Sequence, residues 1–310
     1  MNDATLNRLR DLIQHDVGKR GLATDPARNL INACPEDFCL ACQSLAEHPA
    51  PSLAIVTGFF IPTATPAAGE TDGPLGALFL ARALIPLGIS VVLVTDDFCV
   101  RALDAGLAEC GLRKQVPVVT LPTPEQAKDM SDAEYWQYFD ERKGIPALTH
   151  LLAIERVGPN HQDRCHTMRG RDITDLMSPA HRLFGKRAGI TTIGIGDGGN
   201  EIGMGKIPRD VIERNIPSGG LIACRVPTNH LIVCGVSNWG AYALAAGVSK
   251  LRGQALDARL FDSAREQEIL NVMVEQGPLV DGVTGKPSAT VDGLTWEQYA
   301  GILRKIQDVM

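Results

Sequence analysis

An α/β fold is expected for this chain: mostly parallel and Rossmann-like, a three-layer arrangement with helices on both faces of one sheet. Short apolar runs rich in Val and Ile alternate with longer amphipathic stretches, which is the rhythm of repeated βαβ units. The runs are almost continuously apolar, so each strand should be covered on both faces. Carboxylate, amide and glycine residues gather just after the runs, where an open parallel sheet places its ligand crevice.

In chain order, an N-terminal helical pair is expected at Leu6–Gln14 and Pro26–Ala33, and Pro35 to Ala46 reads as a further helix opening. The first strand is Leu53–Thr57, followed by a helix at Pro74–Leu87 with proline in its first turn, where no N–H is needed. Strand Ile89–Thr95 precedes helix Phe98–Cys110, and strand Val116–Thr120 precedes helix Ser131–Arg142. Strand His150–Ile154, helix Thr174–Ala188 and strand Thr191–Ile195 continue the alternation. Strand Leu231–Gly235 and helices Trp239–Leu251, Asp262–Gln276 and Thr295–Val309 complete it; Ser, Thr and Asp at several helix starts are preferred N-terminal residues. No internal repeat or domain linker interrupts the pattern, so residues 1–310 read as one α/β domain with a helical segment, 1–48, packed on it.

Composition narrows the function. Thirty basic against 36 acidic residues leave a net charge of -6, with no Lys/Arg stripe to track phosphates, so nucleic acid is not an expected partner. The longest apolar runs fall far short of the roughly 20 residues a membrane span requires. Met1 to Arg10 has neither a signal-peptide core nor the acid-poor character of a transit peptide, so the cytoplasm is the expected location. The eight cysteines then read as reduced thiols. Cys34, Cys39 and Cys42 have the spacing of plant-type iron–sulfur ligands, but no fourth ligand follows nearby. A homo-oligomer is compatible with the sequence.

The strongest local signal runs from Gly194 through Asp197-Gly198-Gly199-Asn200-Glu201 to Gly205. Its glycines permit positive φ, and their amides can form an anion nest beside two carboxylates. Lys206 is followed by Ile207, so this is not a phosphate-binding P-loop. Gly194-x-Gly196-x-x-Gly199 matches a dinucleotide fingerprint only in letters, because its first glycine lies within the expected strand. Glu70-Thr71-Asp72-Gly73 precedes the helix at Pro74, placing these residues at a positively polarised helix end. Asp72 could equally cap that helix. Asp96 and Asp97 leave an apolar strand, and one of them can cap the helix that follows. Glu155 ends another strand, Ser237 and Asn238 follow the last one, and Arg169 and Arg171 lie in a basic loop able to clamp a carboxylate. No cofactor is required by this set, although Asp96, Asp197 and Glu201 are candidate ligands for a divalent cation.

Glu70-Thr71-Asp72-Gly73-Pro74, Thr95-Asp96, Glu155-Arg156-x-Gly158, the Gly196–Gly205 motif and Gly235-Val236-Ser237-Asn238-Trp239-Gly240 together resemble the D-glutamate cyclase family. The similarity runs from about Asp16 to the end of the chain. The resemblance implies a lyase that cyclises D-glutamate to 5-oxo-D-proline with loss of water, acting on a small amino acid. In such a reaction Asp197 or Glu201 would do acid/base work, Gly198 and Gly199 amides would hold the developing oxyanion, and Glu70 or Asp72 would bind the ammonium. Thr71, Gly73, Asp96, Glu155, Arg169, Asn200, Ser237 and Asn238 would complete the substrate site. Two other classes also fit the residues: a carboxylate-binding regulatory module without chemistry, and metal-dependent phosphoryl transfer or hydrolysis.

Overall fold

The computed structural model describes residues 3–140 and 147–310. Its strands are β1 (Ser52–Thr57), β2 (Phe60–Ile61), β3 (Ala68–Gly69), β4 (Ser90–Thr95), β5 (Val118–Thr120), β6 (His150–Ile154), β7 (Thr191–Gly196) and β8 (His230–Val233). Six form one parallel sheet in the order β5-β4-β1-β6-β7-β8, while β2 and β3 make a small antiparallel hairpin. Counting only the main strands, this is the doubly wound order of dinucleotide-binding folds. The winding reverses between β1 and β6, so the crevice should open outside their carboxyl ends.

The helices are α1 (Ala4–Ile13), α2 (Asp37–Glu47), α3 (Pro74–Leu84), α4 (Asp97–Glu109), α5 (Pro124–Ala127), α6 (Asp132–Asp140), α7 (Arg209–Asn215), α8 (Gly219–Ile222), α9 (Ser237–Arg252), α10 (Ser263–Gln276) and α11 (Trp296–Val309). Alternate strand residues enter two separate cores. Leu53, Ile55, Leu93, Leu152 and Ile195 pack with α1 to α4 and α9 to α11. Ala54, Val56, Val94, Leu151 and Val233 face α6 to α8 and the loops around them. That division is the physical reason the strands read as unbroken apolar runs.

Two expected helices are absent. Pro26–Ala33 is a chain of turns, because Asp25 accepts from the Ala27 and Arg28 amides while Asn29 and Asn32 bond each other's backbone. Such short polar side chains compete with helical bonding, and the second N-terminal helix is instead α2. Thr174–Ala188 holds only two short 3₁₀ turns, Thr174–Leu176 and Ala180–Phe184. Pro179 breaks the run, and the Ser178 backbone is taken up by Asp96 and Arg156. The expected end of helix Ser131–Arg142 lies outside the described residues.

Candidate active site

The loops after β1, β6, β7 and β8 converge over the switch point. The β2–β3 hairpin carries the chain from β1 to Glu70, whose amide donates to the Phe59 carbonyl, while the Thr71 amide bonds Val280. Asp72 does not cap α3. Its Oδ1 accepts from the Asn238 amide at 2.8 Å and its Oδ2 from the Ser237 amide at 2.9 Å, so it caps α9. In return, Asn238 Oδ1 accepts from the Gly73 and Gly76 amides at 2.9 and 2.7 Å, at the start of α3. The two helix N-termini thus cap each other. Gly73 stands at the turn with φ +93°, where an added Cβ would meet Thr57 Oγ1 at 2.7 Å.

The glycine loop after β7 does form an anion nest, but the nest holds its own carboxylate. Glu201 Oε1 accepts from the Asp197 and Gly198 amides at 2.9 and 2.6 Å, and Oε2 from Gly199 at 2.7 Å. The amides expected to hold an oxyanion are therefore already used, and Glu201, with no exposed surface, organises the loop. No helix follows before α7, so the dinucleotide fingerprint has no structural counterpart. Asn200 sits nearby, donating to the His166 carbonyl.

Asp197, released by this loop toward the crevice, meets a residue not singled out from sequence. Arg20 bonds Asp197 at 2.7 Å and Asp292 at 2.6 Å. Asp16 holds Arg20 in place by accepting from the amides of Arg20, Gly21 and Leu22. Asp281 similarly fixes the opposite wall, taking the Val283, Thr284 and Gly293 amides and the Thr290 hydroxyl. Asp292 follows in that wall with φ +57°. Arg20, Asp281 and Asp292 lie in turns without periodicity, and their only sequence signal was the pairing of each with a following glycine.

Arg20, Glu70, Glu155, Asp197 and Asp292 line a cavity of about 130 Å³ with Arg169 and Arg171 on its exposed side. Phe59, Ile61, Met168 and Val283 supply its apolar surface. Glu155, whose φ is +43°, accepts from the Ser237 hydroxyl at 2.6 Å. Left-handed backbone at such a residue is sustained strain, a frequent mark of functional positions. Arg169 donates to the Val283 carbonyl at 3.1 Å across the mouth.

Other expected site residues lie behind or beside this wall. Asp72, Thr71, Gly73, Gly198, Gly199, Asn200, Glu201, Ser237 and Asn238 are not among the lining residues. Asp96 is diverted altogether: Arg156, fully buried, bonds it at 2.9 Å, and its other oxygen accepts from the Ser178 amide. Among the described residues it joins neither group of carboxylates able to hold an ion.

Burial dominates the electrostatics. It pushes the Asp72 carboxyl up to about 7, with Asp292 adding to the effect and the Asn238 and Ser237 amides opposing it. Burial likewise raises Glu70, with the charges of Asp292 and Asp72 adding to the effect, and raises Glu155, with Asp197 and Glu201 contributing. Asp197 is raised by burial against the pull of Arg20. Burial of so many neighbouring carboxyls favours protonation of some of them or a shared cation. The trios Asp72–Asp197–Asp292 and Glu155–Asp197–Glu201, with oxygens within 4.8 Å of one another, could hold a metal ion. The cysteines contribute to neither trio. All eight are free thiols, Cys39 and Cys42 being buried in α2.

The fold and this crevice define an α/β protein with a small, acid-lined, ligand-sized site at the reversal of its sheet. A family model described as D-glutamate cyclase-like, C-terminal, matches residues 9–307, and the chain belongs to that family. Human mitochondrial D-glutamate cyclase is 30% identical over 332 residues, an alignment covering 98% of this chain and 52% of the human protein. The chain spans about half the length of that relative. No helix of the described residues is long and apolar enough to cross a membrane.

Proposed function

We propose that the protein is a D-glutamate cyclase-like hydro-lyase, closing D-glutamate to 5-oxo-D-proline with release of water. The observation that carries this reading is a small cavity walled by four carboxylates and three guanidiniums. Its 130 Å³ lies well below the roughly 300–1,000 Å³ of drug-sized sites, a scale suited to an amino acid rather than a nucleotide. D-Glutamate brings one ammonium and two carboxylates, the complement of such a wall.

In the reaction the α-nitrogen bonds the γ-carbon, one γ-carbon–oxygen bond breaks, and two protons pass from nitrogen to the departing oxygen, which leaves as water. Carboxyls raised toward neutrality suit both taking and returning those protons. In this reading Asp197 and Glu155 face the ammonium, and Arg169 and Arg171 receive the α-carboxylate at the mouth. Glu201 and Asp72 act as positioning residues through the amides they hold. The free thiols suit a reducing compartment, and the cytoplasm is the location this reading takes.

Proton NMR of the purified chain with D-glutamate, L-glutamate and 5-oxo-D-proline tests the proposal. Formation of 5-oxoproline from the D isomer and not the L isomer is expected. Silence from a folded protein would sink the lyase reading and favour a carboxylate-binding role without turnover.

A further inference from the structure

The inner wall of the cavity leaves carboxylate oxygens without a partner. Glu70 Oε1 and Asp292 Oδ2 are buried and accept no hydrogen bond, in residues only 6% and 8% exposed. Arg20 reaches Asp292 through Oδ1 and Asp197 through Oδ2, so it leaves the orphaned oxygen of Asp292 unanswered. One oxygen each from Asp72, Asp197 and Asp292 lies within 4.8 Å of the others. Glu70 stands beside them, with Asp292 and Asp72 as its leading like-charged neighbours. It is packed in by Gly282, where a Cβ would fall 2.0 Å from Glu70 Oε2. Buried anionic oxygens in such number are costly unless something positive shares them.

We propose that Asp72, Asp197 and Asp292, with Glu70 beside them, bind one divalent oxygen-seeking cation of the Mg²⁺ or Mn²⁺ type. The donor set is all carboxylate, without His or Cys, which selects hard cations over zinc or copper. Asp72 and Glu201 alike spend their oxygens on backbone amides, but the first trio keeps the unpartnered Asp292 Oδ2 while the alternative trio has no buried oxygen without a partner. Asp197 and Asp292 also line the cavity, so water or a ligand carboxylate can complete the coordination shell. A bound cation would let a net-negative amino acid enter a wall of carboxylates; in this it deepens the lyase reading and rests on it for the ligand's identity.

The test is Mn²⁺ uptake by the metal-stripped 310-residue chain, followed by loss of the free-ion signal in electron paramagnetic resonance. A thermal melt of every variant accompanies it. Expected are one Mn²⁺ per chain, displacement by Mg²⁺, affinity at least about tenfold weaker in Asp292→Asn and in Glu70→Gln, and no change in Asp257→Asn, whose side chain is 48% exposed. If Asp292→Asn does not fold, Glu70→Gln decides. No uptake by the folded wild type at millimolar Mn²⁺, or equal uptake by the folded site variants, would overturn the site. D-Glutamate turnover that persists in chelator without Mn²⁺ uptake removes the cation and spares the lyase. Uptake without turnover does the reverse.

Discussion

Removing the Glu201 carboxylate should unfold the glycine loop before it affects any chemistry. Three backbone amides converge on this side chain at 2.6–2.9 Å, and it has no contact with bulk solvent, its exposure being 0%. Glu201→Ala leaves three buried N–H donors unpaired, at about 1–3 kcal/mol each. Relaxation of the loop puts the expected loss near the lower end of that sum, about 4 kcal/mol. Glu201→Gln keeps one acceptor oxygen for Asp197 and Gly198 but turns an NH₂ group toward the Gly199 amide, so the expected loss is about 2 kcal/mol. Urea denaturation followed by circular dichroism reads both values from the midpoint at constant slope. Turnover should fall in step, because Asp197 is carried by the same loop. A Glu201→Gln protein as stable as the wild type but without turnover would refute this reasoning and return Glu201 to acid/base chemistry.

Arg169→Ala should raise KM for D-glutamate about tenfold, a loss of about 1.4 kcal/mol, with kcat within about twofold. Steady-state kinetics checks this, and an equal fall in kcat at unchanged KM would remove Arg169 from ground-state binding. His150, at the opposite end of the sheet, is held down to about 4 from 6.5 by burial and by His48. A lowered folded value means that protonation opposes folding, so its contribution is complete above pH 6.5 and lost as pH falls toward 4. That window corresponds to about 3 kcal/mol. His150→Gln should therefore flatten the fall in stability between pH 6.5 and 4, as urea midpoints across that range would reveal, and an unchanged slope would refute it.

The sheet was legible because its strands are buried on both faces and leave an uninterrupted apolar trace; Leu53, Ile55 and Leu93 go to one core, and Ala54, Val56 and Val94 to the other. The helix expected at 174–188 was not, because Arg156 and Asp96 compete for the Ser178 backbone from distant strand ends. At the site, the strand-end position of Asp197, Glu155 and Glu70 was readable from pattern alone. What a carboxylate does there was not: Glu201 fills the nest expected for a ligand, Asp72 caps the far helix rather than its own, and Asp96 is claimed by Arg156. Arg20 and Asp292 were hidden for a simpler reason. They meet across 272 positions of sequence, and neither lies in a periodic segment.

The mutual capping of α3 and α9 ties inheritance to geometry. Asp72 alone changed bares the Asn238 amide and leaves Ser237 with its longer bond to Asp197, while Asn238 alone changed bares the Gly76 amide and leaves Gly73 with its longer bond to Asp72. Positions 72 and 238 are therefore one unit of variation. Across descendants of this chain they should be retained together or exchanged together, and a lineage that has lost one should show the other already drifting.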